Sequence, residues 1–169
     1  GTGAIAVTGG LRHSCALRSD GTVVCWGADG RGQLGDGTVG GIAGPPTPVV
    51  GLDMVTAIAA GRTFTCALRV AGADRSVLCW GANDFGQLGA AGATESATPV
   101  AVTGLTDAIA IAAAPGGTHA CALRAGGAVS CWGSNASGQL GDGTTTASTD
   151  PRDAMNLPAP IAIAAGGLD

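Results

Sequence analysis

Tyrosine and lysine are absent from this 169-residue chain, and aromatic residues make up only 3% of it. The five aromatics are Trp26, Trp80, Trp132, Phe64 and Phe85. That is too few to fill a core with large side chains. The remaining apolar residues are mostly Ala, Val, Ile and Leu, which suit thin, closely stacked sheets. Basic residues number eight, all Arg and none in a run, against twelve acidic ones, for a net charge of −4. Nucleic-acid binding uses a clustered Lys/Arg footprint, so no nucleic-acid partner is expected. No run approaches the roughly 18 uninterrupted apolar residues of a spanning helix, so no membrane span is expected. No Ser lies in a G-x-S-x-G elbow and no H-E-x-x-H is present, so nothing argues for catalysis. The opening Gly1-Thr2-Gly3 has neither Met nor a signal-peptide pattern, as expected of a processed, excised or designed chain.

What the chain has in abundance is glycine, at 31 residues, together with six cysteines. The cysteines fall in three pairs, each inside a recurring frame. C-A-L-R, C-W-G and G-Q-L-G appear in that order three times, and Trp26, Trp80 and Trp132 are 54 and 52 residues apart. An internal period of this length marks a stacked-repeat architecture.

Each unit reads as four short strands. The first is small and apolar: Ala4-Ile5-Ala6-Val7, Thr56-Ala57-Ile58-Ala59, and Ala108-Ile109-Ala110-Ile111. Gly10, Gly61 and Gly116 follow, each five residues before a Cys. The second strand is Cys-Ala-Leu-Arg and the third ends in Cys-Trp-Gly. A Gly-rich loop then leads to a fourth strand expected to start at Pro48, Pro99 and Pro151, since a strand start is one of the few places a sheet tolerates Pro. Four antiparallel strands recurring about every fifty residues make a propeller blade. One blade cannot bury both faces alone. Trp26, Trp80 and Trp132 are therefore expected to fill the space between blades, with Trp80, in the middle unit, the costliest to lose.

A turn centred on Asp20 pairs residues 17 with 23, 16 with 24, and Cys15 with Cys25. A centre at Gly126 brings Cys121 opposite Cys131. In the second unit 70–75 form a longer loop, and Cys66 still meets Cys79. Antiparallel partners of this kind approach closely enough for a bridge, and each bridge is expected to contribute about 2–3 kcal/mol. Zinc would want C-x2-C knuckles or mixed Cys/His clusters, and a redox dithiol would want C-x-x-C. The spacings here, nine or twelve intervening residues, fit neither. Three bridges imply an oxidising compartment, so a secreted or extracellular location is expected.

The pattern G-x-x-H-[ST]-C-A-L-x-x-x-G-x-V-x-C-W-G-x-N-x-x-G-Q-L-G-x-G resembles the repeat of the regulator of chromosome condensation family, over essentially the whole chain. The resemblance implies a β-propeller, in a family that includes a chromatin-binding guanine-nucleotide exchange factor and bacterial extracellular members. Paired Cys in every hairpin, three repeats and no basic tail set this chain apart from the nuclear member. Exchange activity is therefore not carried over, and fold alone does not transfer function.

Several residues invite a chemical reading. His13 and His119 occupy one repeat position that Phe64 fills in the second unit. A ligand or general base does not interchange with Phe, so packing or hydrogen bonding at the hairpin start is expected. Gly30-Arg31-Gly32-Gln33-Leu34-Gly35 matches G-x-G-x-x-G but opens no helix, so it is not read as a nucleotide site. Gln33, Gln87 and Gln139 are expected to brace loop backbone. Asp36 and Asp142, in G-D-G-T, match no calcium-loop spacing and read as turn residues. Arg18, Arg69 and Arg124 recur at one hairpin position, as a rim ladder or a solubilising position.

The expected fold is thus all-β: three tandem four-stranded antiparallel propeller blades over 1–52, 53–105 and 106–158, with 159–169 as the first strand of a further repeat. In that last segment Ile161, Ala162, Ile163 and Ala164 match the apolar first strands and form a candidate assembly strand. Loops differ between copies at 39–47, 70–75, 90–97 and 144–150, the division between frame and function seen in recognition modules. The expected function is an extracellular protein-binding scaffold that is part of a longer propeller. The alternative is a self-assembling subunit joined head to tail, and an exchange factor or enzyme ranks below both. The expected partner is a protein or further copies of the chain, and no cofactor or metal site is expected.

Overall fold

The computed structural model describes residues 3–158 and 160–167. Among them are twelve strands and no helix. The first sheet holds β1 (Ala4–Gly9), β2 (His13–Arg18), β3 (Val23–Ala28) and β4 (Ile42–Pro48). The second holds β5 (Val55–Ala60), β6 (Phe64–Ala71), β7 (Asp74–Ala82) and β8 (Glu95–Ala101). The third holds β9 (Ala108–Ala113), β10 (His119–Arg124), β11 (Val129–Gly133) and β12 (Ser148–Asp153). Within each sheet the strands lie in chain order, every neighbour antiparallel. With β1 beside β5 and β5 beside β9, the first strands line one side of the stack. These are propeller blades.

The central hairpins follow from their turns. Gly21 and Gly127, at φ 79° and 85°, supply the left-handed residue a tight turn needs. Cys15 faces Cys25, Cys66 faces Cys79 and Cys121 faces Cys131 in register. All three pairs are disulfide-bonded, with Cα–Cα separations of 4.1, 4.1 and 4.0 Å.

Two strand expectations need correction. The fourth strands start well before Pro48, Pro99 and Pro151; β4 and β8 end at Pro48 and Ala101. Pro is accommodated because these are edge strands, where a missing N–H removes no ladder bond. The segment 70–75 is not a loop. It extends the hairpin, pairing Val70 with Arg75 and Ala71 with Asp74. Its returning strand meets the segment leading into the third sheet, where the Arg75 N–H donates to the Thr106 carbonyl at 3.0 Å.

The cores lie between sheets rather than within them. Leu17, Val23, Leu34, Val49 and Leu52 of the first unit close on Val55, Ala67 and Trp80 of the second. Phe64, Leu68, Val77, Leu88 and Leu105 of the second close on Ala108, Ala122 and Trp132 of the third. Small first-strand residues let the sheets approach closely.

Trp26 departs from its expected place. Trp80 and Trp132 are fully buried, whereas Trp26 is only half-buried. Each buried indole points back into the preceding unit: Trp80 Nε1 donates to the Gln33 carbonyl at 2.9 Å, and Trp132 Nε1 to the Gln87 carbonyl at 3.0 Å. Trp26 belongs to the first described sheet, and among the described residues no sheet precedes it.

The candidate assembly strand also differs. Ile161, Ala162, Ile163 and Ala164 form no strand. A first strand is held by pairing with the second strand of its own sheet, and no such strand follows 160–167 among the described residues. The segment instead lies over the third sheet. Ile163 packs against the cluster of Cys121, Leu123, Val129, Cys131 and Leu140, as Ile58 packs against the Cys15 cluster. Residues 159, 168 and 169 of that expected repeat, and residues 1 and 2, lie outside the described set.

Candidate protein-binding face

The G-Q-L-G loops are built alike from local hydrogen bonds. The side-chain oxygens of Gln33, Gln87 and Gln139 accept from the backbone N–H of Arg31, Phe85 and Ser137, each at 2.8 Å. Sequence reading missed a second brace. Asp29, Asn83 and Asn135 accept from the N–H of Leu34, Leu88 and Leu140 at 3.0, 3.0 and 2.9 Å. The N in the repeat pattern was its signal, blurred because the first unit substitutes Asp. Burial raises the Asp29 carboxyl above its ordinary pKa, against the lowering effect of the Leu34 N–H.

The loop glycines serve the next sheet. A Cβ on Gly35, at φ 70°, would lie 2.7 Å from Trp80 Nε1. One on Gly32 would lie 2.8 Å from the Ala97 Cα. The G-x-G-x-x-G match in this loop thus reflects close approach of protein backbone.

Beside this contact lies a buried polar cluster. His13 Nε2 is 2.8 Å from Thr65 Oγ1, which donates to the Gln33 carbonyl at 3.3 Å. His13 Nδ1 is buried without a partner, and burial pushes the imidazole down to about 4. Phe64 replaces this histidine at the next boundary, where it shares a core cluster with Ala120. Both are packing positions.

Asp36 accepts from the N–H and hydroxyl of Thr38, and Asp142 does so from Thr144. Those bonds hold the Asp142 carboxyl below its ordinary range. Both are turn-forming. Among the described residues no three of His, Cys, Asp and Glu gather closely enough to hold a metal ion. The recurring arginines form in-sheet ion pairs: Arg124 with Asp107 at 2.8 Å and Arg69 with Asp53 at 3.5 Å.

On the loop side, turns and loops of all three units frame an open groove of about 480 Å³. Its lining includes Arg62, Thr63, Phe85, Gln87, Thr118 and Ser134. Phe85 is 49% exposed, a large aromatic presented to solvent by a braced loop. Arg31 closes one end, donating to Glu95 at 2.6 Å and to Asp84 at 2.9 Å. These bonds raise its pKa further and tie the first loop to the second. Sequence reading noted Phe85 only as one of five aromatics. Its signal is the position before G-Q-L-G, where Arg31 and Ser137 stand in the other units.

Comparison with known proteins agrees with this architecture. Human E3 ubiquitin-protein ligase HERC2 is 37% identical over 150 residues, covering 88% of this chain and 3% of that protein. The ultraviolet-B receptor UVR8 of Arabidopsis thaliana is 33% identical, covering 88% of this chain and 33% of that protein. The chain therefore spans only a minor part of these relatives. Among solved structures, yeast RCC1 (Prp20) bound to Kap60 superposes with a TM-score of 0.82 at 24% identity, over 98% of this chain and 40% of that one. A structure of Prp20p from Saccharomyces cerevisiae, described with its binding to Gsp1p and histones, gives 0.79 at 22% identity, over 90% of this chain and 38% of that one. Two models of the regulator of chromosome condensation (RCC1) repeat match, one over 4–33, 55–87 and 108–139 and the other over 20–68, 74–123 and 126–168. With matches in all three units and a sheet geometry to go with them, the chain belongs to the RCC1 repeat family.

Proposed function

We propose that this chain is a protein-binding scaffold of the extracellular space, engaging its partner through the loop-side groove around Phe85. The observation that carries this is the half-exposed Phe85 ring, held by the Gln87 and Asn83 braces over a groove framed by turns and loops of all three units. Aromatics presented on a rigid frame and ringed by polar residues serve as anchors in interfaces. The frame repeats from unit to unit while the residue at this position changes, which confines recognition to the loop. The relatives point the same way: Prp20 is described with Kap60, Gsp1p and histones, all proteins. The three disulfides fit an oxidising compartment. Ligase activity belongs to the HERC2 relative as a whole protein, of which this chain matches 3%; in this chain we read binding without catalysis.

The test compares immobilised wild type with Phe85→Ser against secreted proteins of the source, with Asp74→Ser on the opposite end of the sheets as control. A partner retained by wild type and by Asp74→Ser, and lost by Phe85→Ser, is the expected result. A partner held equally by all three, or none at micromolar affinity, overturns it.

A further inference from the structure

The loops that carry G-Q-L-G differ in one buried atom. Asn83 and Asn135 each turn Oδ1 to a Leu N–H and the amide nitrogen into the loop that follows. Asn83 Nδ2 donates to the carbonyls of Ala90 and Ala93, at 3.2 and 3.0 Å. Asn135 Nδ2 stands among four oxygens: the Thr144 carbonyl, the Thr144 hydroxyl and the Thr146 carbonyl, each at 3.1 Å, and Asp142 Oδ1 at 3.3 Å. In both units a positively polarised group fills a set of acceptors.

The first unit has Asp29 at this position. Its Oδ1 keeps the brace to the Leu34 N–H, so an oxygen, Oδ2, takes the place of the amide nitrogen. The acceptors remain, because Asp36 and Thr38 stand where the third unit has Asp142 and Thr144. Oxygen therefore faces oxygen. Asp29 is only 2% exposed. The neighbour of its Oδ2 is the Thr38 hydroxyl at 3.4 Å, and the single hydrogen of that hydroxyl goes to Asp36 Oδ1 at 2.7 Å. A buried carboxylate oxygen that receives no hydrogen is costly. Burial, and then the charge of Asp36, push the Asp29 carboxyl above its ordinary pKa. Among the described residues no arginine pairs with either carboxylate. Both line a cavity of about 230 Å³ together with Thr38, Gly40 and Gly41, whose glycines bring backbone alone. The cavity lies within one loop, which the Gly37 N–H fixes to the second sheet by donating to the Ala97 carbonyl at 3.0 Å. Its counterpart in the middle unit is lined by Asn83, Ala90 and Ala93 and measures only about 120 Å³.

We propose that the loop from Asp29 to Gly41 is a calcium site. Asp29 and Asp36 supply carboxylates, Thr38 supplies its hydroxyl oxygen, and backbone carbonyls of 38–41 and water complete the shell. Calcium takes roughly six to eight oxygens and accepts backbone carbonyls among them, whereas magnesium demands a tight octahedron and keeps several waters. Two carboxylates therefore suffice where neutral oxygens converge with them. The cation does in the first loop what the amide N–H groups do in the other two: it ties the start of the loop to its far side.

The experiment is calorimetric titration of the chelator-stripped 169-residue chain with calcium chloride, with Tm read in parallel. The expected result is one calcium per chain, with a Kd of about 10⁻⁴–10⁻³ M, the range of extracellular modules. Calcium at roughly ten times Kd should raise Tm by about 3–6 °C. Asp29→Asn installs the amide of the other two loops and keeps the Leu34 brace. It should fold with a Tm no lower than that of stripped wild type and lose the calcium response. Asp36→Asn should weaken binding about tenfold or more, through loss of one ligand charge. Magnesium at equal concentration should leave Tm nearly unchanged. No heat and no Tm shift in wild type, an undiminished response in Asp29→Asn, or an equal shift with magnesium would overturn the proposal. Phe85→Ser should bind calcium as wild type does, so this outcome is separable from that of the groove.

Discussion

The indole of Trp80 and the carbonyl of Gln33 meet 2.9 Å apart across the boundary of the first two sheets, with Gly35 leaving the room the ring needs. The same three residue types meet again as Trp132, Gln87 and Gly89.

Trp80→Ala and Trp132→Ala should each cost about 3–5 kcal/mol, the usual range for truncating a large buried aromatic. Trp26→Ala in dilute solution should cost about 1 kcal/mol. A finer comparison isolates the close approach. Gly35 and Gly51 share a left-handed backbone, at φ 70° and 67°, but only Gly35 faces a ring. Ala at Gly51 should cost about 1–2 kcal/mol from backbone alone. Ala at Gly35 should exceed that by about 1–3 kcal/mol from overpacking. Urea unfolding of the five variants decides it; equal losses at the two glycines would mean the indole contact carries no stability.

Acid should loosen the first boundary through His13. Its imidazole sits near 6.5 in the unfolded chain and about 4 in the folded one. As pH falls below about 6.5 the unfolded chain takes up the proton first, so stability declines down to about pH 4 and then levels for this group. The total effect is at most about 3 kcal/mol. His13→Phe with Thr65→Ala recreates the pairing of Phe64 with Ala120 and removes the titrating group. The difference in unfolding free energy between wild type and this double variant, followed from pH 7 to 4, should carry the decline. A pH-independent difference would show that His13 does not couple to folding.

Reduction should destabilise the chain without scrambling its topology. Each bridge closes a short hairpin and contributes about 2–3 kcal/mol in the chain-entropy account. Calorimetry with and without reductant should show a clear drop in Tm, and non-reducing peptide maps should return Cys15–Cys25, Cys66–Cys79 and Cys121–Cys131. A reduced chain as stable as the oxidised one would remove the physical case for an oxidising compartment.

Local arithmetic sufficed where the interaction is local. Counting outward from Asp20 places Cys15 opposite Cys25, because a tight turn fixes register. It failed where partners are distant or absent. Nothing near Trp26 in sequence tells it from Trp80; the difference is a preceding sheet. The apolar alternation at 161–164 matches a strand, yet a strand exists only with a paired neighbour. Pro48 suggests the start of a strand but stands at the end of one, because an edge strand tolerates Pro along its open side. At 70–75 the three extra residues read as a loop, whereas Gly72 turns a longer hairpin there. Phe85 stayed hidden as a candidate because exposure is a tertiary property.

The Trp of each later repeat finds its seat in the repeat before it, so the smallest stable piece is not one repeat but a junction of two. Three sheets share two such junctions. An isolated repeat would keep its disulfide and lose its main apolar burial, so it should be largely unstructured. Stability then grows stepwise with neighbours, as in a one-dimensional lattice. Opening should start at whichever end sheet has the weaker junction, and amide exchange should map that as two gradients running outward from the middle sheet.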